Sequence, residues 1–245
     1  MIRLEQISKD FGRVRVLDDL TLHIPKGEIF CLVGSSGAGK TTALRIISGV
    51  LQPSSGELFI DGFSMAKQPR YAKRQIGYVP DYPYLYERLS GREFLEFHAQ
   101  LYLLPMLEVK TQIERFTRIF DLQEWLDKQI EEYPPGIRQK IVLTAAFLHN
   151  PSVLVLDEPF AALDPASERR LKEQLRLFVA SGGSVLLATQ QPHHTDQLCQ
   201  RIGILALGKL LFSGTVAEIK THHDQDLDAV LKGLTESNQQ ETHNG

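Results

Sequence analysis

Apolar and polar residues alternate from the first positions. IRLEQISKDF and VLDDLTLHI each read as a half-buried strand, and the turn at Gly12 between them predicts an antiparallel hairpin layer. The pattern then changes. EIFCLVG, from Glu28 to Gly34, is short and almost wholly apolar, as in a strand buried on both faces, and a Gly/Ser turn and the helical TTALRIISGV follow it. GELFIDG and QIGYVPD predict further strands. From about Tyr82 to Asn150 the period lengthens to a helical one, in REFLEFHAQLYLL, LEVKTQIERFTRIFDL and IRQKIVLTAAFL. SVLVLDEP and SVLLATQ return to strands, IGILALG and KLLFSG form a last hairpin, and TVAEIKTH opens a closing helix. Strands interrupted by crossover helices imply a largely parallel sheet wrapped on both faces. The expectation is an α/β domain over residues 1–232 with an inserted helical lobe at about 82–150. A polar tail over 233–245 is too poor in apolar residues to fold.

Composition narrows the classes of partner. The chain has 245 residues and a formal charge of -3, with a pI near 6.2, so broad electrostatic binding to nucleic acid or to a membrane surface has no support. Cys31 and Cys199 are far apart in apolar surroundings and read as packed thiols of a reducing compartment, the cytoplasm. No apolar run reaches the roughly 18 residues of a membrane span, and the N-terminus does not resemble a leader, so the chain is expected neither to span nor to cross a membrane by itself.

The chemistry lies in two short stretches. GSSGAGKT, comprising Gly34, Ser35, Ser36, Gly37, Ala38, Gly39, Lys40 and Thr41, with Thr42 following, fits G-x-x-x-x-G-K-[ST] between a buried strand and a helix. Glycines let the backbone curl so that successive N–H groups point inward, Lys40 reaches the outer phosphates, and the Thr41 hydroxyl ligates Mg²⁺. VLVLDEP carries a second buried strand to its carboxyl end, where ligands collect in an open parallel sheet. Adjacent carboxylates on a strand point to opposite sides, which assigns Asp157 to Mg²⁺, directly or through water, and Glu158 to the attacking water as general base.

These motifs, their order and their intervals resemble the ATP-binding cassette (ABC) family, the nucleotide-binding subunits of ABC transporters, from Met1 to about Lys220. The resemblance implies a RecA-like P-loop NTPase core, ATP and Mg²⁺ as cofactors, and ATP hydrolysis. It also implies a place on the cytoplasmic face of the membrane beside an integral membrane transporter subunit, and a second cassette as partner. Nucleic acid is not an expected partner, since cassettes acting on ribosomes or DNA usually carry two cassettes or a long coiled-coil insert. By the same resemblance Phe11 stacks on adenine with Val16 nearby, although core packing explains an aromatic there equally well. Asp164, in ALDP, matches the loop through which one subunit touches the other's ATP. Two cassettes of this family meet head to tail, each phosphate loop closed by the opposite signature helix. LYERLSGREFLEFHAQLY and DEPFAALDP look most like the cassettes of drug, sodium or antibiotic exporters. The aromatic run DYPYLYERL would then accept a cytoplasmic helix of the membrane subunit; the alternative is that Tyr82, Tyr84 and Tyr86 pack the joint between lobes.

Three positions depart from the family pattern. The signature, close to L-S-G-G-Q, aligns with Tyr133, Pro134, Pro135, Gly136 and Ile137, so the serine hydroxyl and one glycine N–H that donate to the partner's γ-phosphate are absent. Proline suits a first helical turn, so the helix is expected to form with Gly136 still offering an N–H. Asp81 stands where the family usually has a glutamine contacting Mg²⁺ and water. Gln190 replaces the histidine that contacts the γ-phosphate, and His193 and His194 read as surface residues. The retained Glu158 argues for a working base on this subunit, while the lost donors argue for slow hydrolysis in a homodimer and for pairing with a different cassette.

Overall fold

The computed structural model describes residues 1–190, 198–215, 217 and 218. β1 (Ile2–Phe11) and β2 (Val14–Ile24) form the expected antiparallel hairpin, with Gly12 at the positive φ of the turn. β4 (Ser55–Ile60) and the short β5 (Phe63–Ser64) extend this layer to four strands, ordered β2-β1-β4-β5. A second sheet contains β3 (Ile29–Val33), β6 (Ile76–Val79), β7 (Val153–Asp157), β8 (Ser184–Thr189), β9 (Arg201–Ala206) and β10 (Lys209–Thr215). Its order is β10-β9-β3-β8-β7-β6, and every pairing is parallel except β9 with β10.

β3, β7 and β8 are buried at every position, as their apolar runs demand. Alternation divides the core in two. Phe30 and Leu32 face a cluster shared with β1, β2, β4 and α1 (Lys40–Ile47), while Cys31 and Val33 face a cluster shared with the helices on the other side. Between β6 and β7 lie α3 (Gly91–Leu101), α4 (Met106–Ile119), a 3-10 turn at Ile130–Glu132 and α5 (Pro135–Leu148). The helical pattern does not begin at Tyr82: residues 82–89 are irregular, and α3 starts at a capping box in which Ser90 Oγ accepts from Glu93 N while the Glu93 carboxylate accepts from Ser90 N.

Three elements were not singled out by the pattern, namely β5, α2 (Pro69–Arg74) and α6 (Pro165–Ala180). For α6 the signal was present, because Asp164 directly before Pro165 is an N-cap followed by the one residue that loses nothing at the first helical position. The cysteines require a correction. Cys31 and Cys199 are not apart in space but lie side by side, with Cα atoms 6.0 Å apart. Parallel pairing of β3 with β9 sets Cys31 opposite Ile202 and so brings Cys199, two residues ahead of β9, beside it, a proximity that 168 residues of separation hide. Most of the closing helix expected from TVAEIKTH, the tail at 233–245, His193 and His194 lie outside the described residues. No described helix is long and apolar enough to cross a membrane.

Candidate functional site

β3 and β7 run parallel with β8 between them, so their carboxyl ends open on the same edge of the sheet. β3 delivers the loop Gly34–Gly39, and β7 delivers Asp157 and Glu158. Gly37 and Gly39 take φ of +79° and +106°, which other residues avoid, and at Gly34 a Cβ would collide with the Leu205 carbonyl of β9. A Cβ at Gly39 would sit 2.9 Å from Leu17 Cδ2 and 3.0 Å from the Val16 carbonyl, so the start of β2, with Val16, lies against the end of the loop. Ala38 N–H donates to Ser35 O (3.2 Å) and Gly208 N–H to Ala38 O (3.0 Å), fixing the loop from both sides. Ser35, Ser36 and Gly37 are exposed, whereas Ala38, Gly39 and Lys40 are buried and Thr41 and Thr42 half-buried.

The Lys40 ammonium folds back onto the loop, donating to Gly34 O (2.7 Å) and Ser35 O (3.0 Å). Burial lowers its pKa, opposed by the charges of Glu158, Asp157 and Asp81. Asp157 is 1% exposed, and burial raises its carboxyl from 3.8 to about 6 despite a hydrogen bond from Thr41. Its Oδ2 is buried without a hydrogen-bond partner. An orphaned, desolvated carboxylate oxygen beside a threonine hydroxyl is the donor set a hard cation takes, so these residues fit Mg²⁺. Asp81 is exposed at the end of β6, close enough to raise the Asp157 and Lys40 pKa values electrostatically, so a second carboxylate faces the same space.

Glu158 follows Asp157 at φ +45°, a left-handed conformation that turns its side chain away from the aspartate. Its carboxylate accepts from Thr189 Oγ1 (3.0 Å) and from Gln190 N–H (2.6 Å). Burial raises its pKa, opposed by these two hydrogen bonds. Gln190 is thereby brought to the site through its backbone, with the side chain exposed. Phe11, at the end of β1, is 50% exposed with the Lys9 ammonium over its ring (5.1 Å to the centroid), so it is not a core residue.

Gly136 and Asp164 belong to a second constellation. At the head of α5, Pro134 is the N-cap and Pro135 the first helical residue. Neither offers an N–H, Pro134 O accepts from Ile137 N–H (3.0 Å) and Arg138 N–H (3.1 Å), and Gly136 N–H is what the head has left for a ligand. Gly136 packs on the Ala162 carbonyl, which a Cβ would approach to 2.7 Å. Asp164 caps α6, accepting from Ala166 N–H (3.0 Å), Ser167 N–H (2.9 Å) and Ser167 Oγ (2.6 Å), and it pairs with Lys140 Nζ (3.2 Å). The Ser167 bonds first, and Lys140 after them, hold this carboxyl far below the usual carboxylate range. Lys140, Gln139 and Thr189 were missed in the sequence. For Lys140 the available signal was a cation directly ahead of the apolar run IVLTAAFL. Tyr82, Tyr84 and Tyr86 are largely exposed rather than packed into a joint, with Tyr86 edge-on to Phe97 at 5.5 Å.

The model of the ABC transporter family matches residues 17–161, more than half of the chain. A daunorubicin resistance ATP-binding protein, DrrA3, of Streptomyces coeruleorubidus is 32% identical over 94% of this chain and 73% of its own. The ABC transporter ATP-binding protein NatA of Bacillus subtilis is 29% identical over 94% and 96%. Among solved structures, an ATP-binding subunit of an ABC transporter superposes with a TM-score of 0.91 and 31% identity, covering 96% of this chain and 99% of that one. A dimeric cassette, MJ0796, bound to ADP and Pi shares the fold at a TM-score of 0.80 and 22% identity, covering 88% and 99%. A phosphate loop and an acidic strand end on one sheet edge, together with these likenesses, make this chain an ATP-binding cassette of the ABC transporter family.

Proposed function

We propose that the chain is the ATP-hydrolysing subunit of an exporter, working as a dimer at the cytoplasmic face of a membrane against a separately encoded integral subunit. The observation that carries this is the buried, unpartnered Asp157 oxygen beside Thr41 at the mouth of the phosphate loop. The daunorubicin resistance relative supports the exporter direction. The exposed tyrosines 82, 84 and 86 support a protein partner on the helical side.

In this reading Thr41 and Asp157, with Asp81, would hold Mg²⁺, which would supply positive charge against the charge developing on the phosphates. Lys40 exchanges its two carbonyl partners for the outer phosphates. Phe11 stacks on the adenine, with Val16 contributing from β2 beside the end of the phosphate loop. Glu158 leaves Thr189 and Gln190 N–H to take a proton from the attacking water, and its raised pKa suits that task. The Gln190 amide donates towards the γ-phosphate without carrying charge. Gly136 and Asp164 meet the nucleotide of the opposite subunit.

A second reading, a weakened cassette that mainly binds ATP beside a more active partner, is favoured by one feature. Pro134 and Pro135 leave only the Gly136 N–H at the head of α5. Phosphate release by the chain with and without its membrane and cassette partners separates the two. Hydrolysis abolished by Glu158→Gln with ATP binding retained supports the first reading, and tight binding without release in any assembly refutes it.

A further inference from the structure

α5 touches the loop between β7 and α6 at three points within two turns. Gln139 Nε2, buried, donates to Pro159 O (3.1 Å) at the start of the loop. Gly136 lies on Ala162 O in its middle. Lys140 Nζ, on a side chain 9% exposed, meets Asp164 Oδ2 (3.2 Å) at its end. The loop needs holding, because Glu158 and Ala162 are both non-glycine residues at positive φ, of +45° and +60°. Its own bonds, Ala161 N–H to Glu158 O (3.0 Å) and Leu163 N–H to Phe160 O (3.2 Å), span single turns. Two of the three contacts come from side chains on neighbouring positions of one helix, so a rigid shift of that helix moves both ends of the loop together.

We propose that Lys140 is a positioning residue: through Asp164, with Gln139 on Pro159, it clamps the Glu158–Asp164 loop to the signature helix, so that the helix head sets where both acidic residues sit. The two prolines strip the head of phosphate donors but leave this intramolecular hold intact. One clause of the proposal, its effect on turnover, rests on the cassette reading; the clamp itself does not.

Hydrogen exchange on the full chain tests it without nucleotide. Lys140→Met keeps length and burial while removing the charge, and Asp164→Ser removes the ion pair while keeping an N-cap on α6. Amides of residues 160–168 should exchange about tenfold faster in Lys140→Met, at the wild-type rate in Lys140→Arg, and no faster in the double variant than in Asp164→Ser alone. In the assembled complex, Lys140→Met should lower kcat about tenfold with KM for ATP unchanged. Unchanged exchange in Lys140→Met, or additive effects of the two substitutions, overturns the clamp. Absence of MgATP binding by the wild type would overturn the cassette reading instead, leaving the exchange result to judge the clamp.

Discussion

Replacing Asp157 by asparagine should make the metal-free protein more resistant to unfolding, and increasingly so as pH rises. The native aspartate is almost wholly buried, and its carboxyl is raised from 3.8 to about 6. The folded state therefore holds the proton more tightly than the unfolded chain, so stability falls as pH climbs from the unfolded value through the folded one. The full span corresponds to about 3 kcal/mol at neutral pH and above, of which about 1.5 kcal/mol appears between about pH 5 and about pH 8. Asparagine carries no charge and lacks this slope, whatever constant cost it incurs at Thr41. Urea unfolding of both proteins in chelator, at the two pH values, should show the difference shifting in favour of the variant by about that amount. Adding Mg²⁺ at the higher pH should restore the wild type and leave the variant unchanged. A difference that stays flat with pH, or a variant that responds equally to Mg²⁺, would refute the view of Asp157 as a desolvated cation ligand.

Burial depresses His149 from 6.5 to about 4, with the His98 charge also lowering it, so stability present above the unfolded value should be lost as pH falls towards about 4, by about 3 kcal/mol. His149→Gln should flatten that acid limb in urea unfolding. Gly77 of β6 has no room for a Cβ, which would strike the Ala146 carbonyl of α5, so Gly77→Ala should cost more than about 2 kcal/mol in the same assay. Pro134→Ser combined with Pro135→Gly restores a hydroxyl and an N–H at the head of α5. It should raise phosphate release by the homodimer about 100-fold or more while MgATP affinity stays within about twofold; unchanged release would show that the head is not limiting.

The fully apolar strands were legible because burial on both faces leaves no alternation to misread, and β3, β7 and β8 emerge where EIFCLVG, SVLVLDEP and SVLLATQ foretold them. The phosphate loop was legible because its glycines are required by local backbone geometry, as at Gly37 and Gly39. What escaped was set by tertiary contact. The approach of Cys31 to Cys199 depends on β3 pairing with β9, and the ion pair between Lys140 and Asp164 depends on α5 meeting the residue that caps α6. Helix α2 and strand β5 are too short to build a period. The irregular stretch before Ser90 was included in the helical lobe, and only the capping box at Ser90 and Glu93 marks the true start.

The grip of the phosphate loop on a nucleotide is tested most directly by calorimetric titration of MgATP into the wild type and Lys40→Ala. Lys40 donates to two loop carbonyls, which it can exchange for phosphate oxygens. Wild-type protein should bind with measurable heat, and loss of the charge-assisted contact, worth about 2–3 kcal/mol, should weaken binding about 30- to 150-fold. Equal affinity in the two proteins, or no heat from folded wild type, would contradict the account.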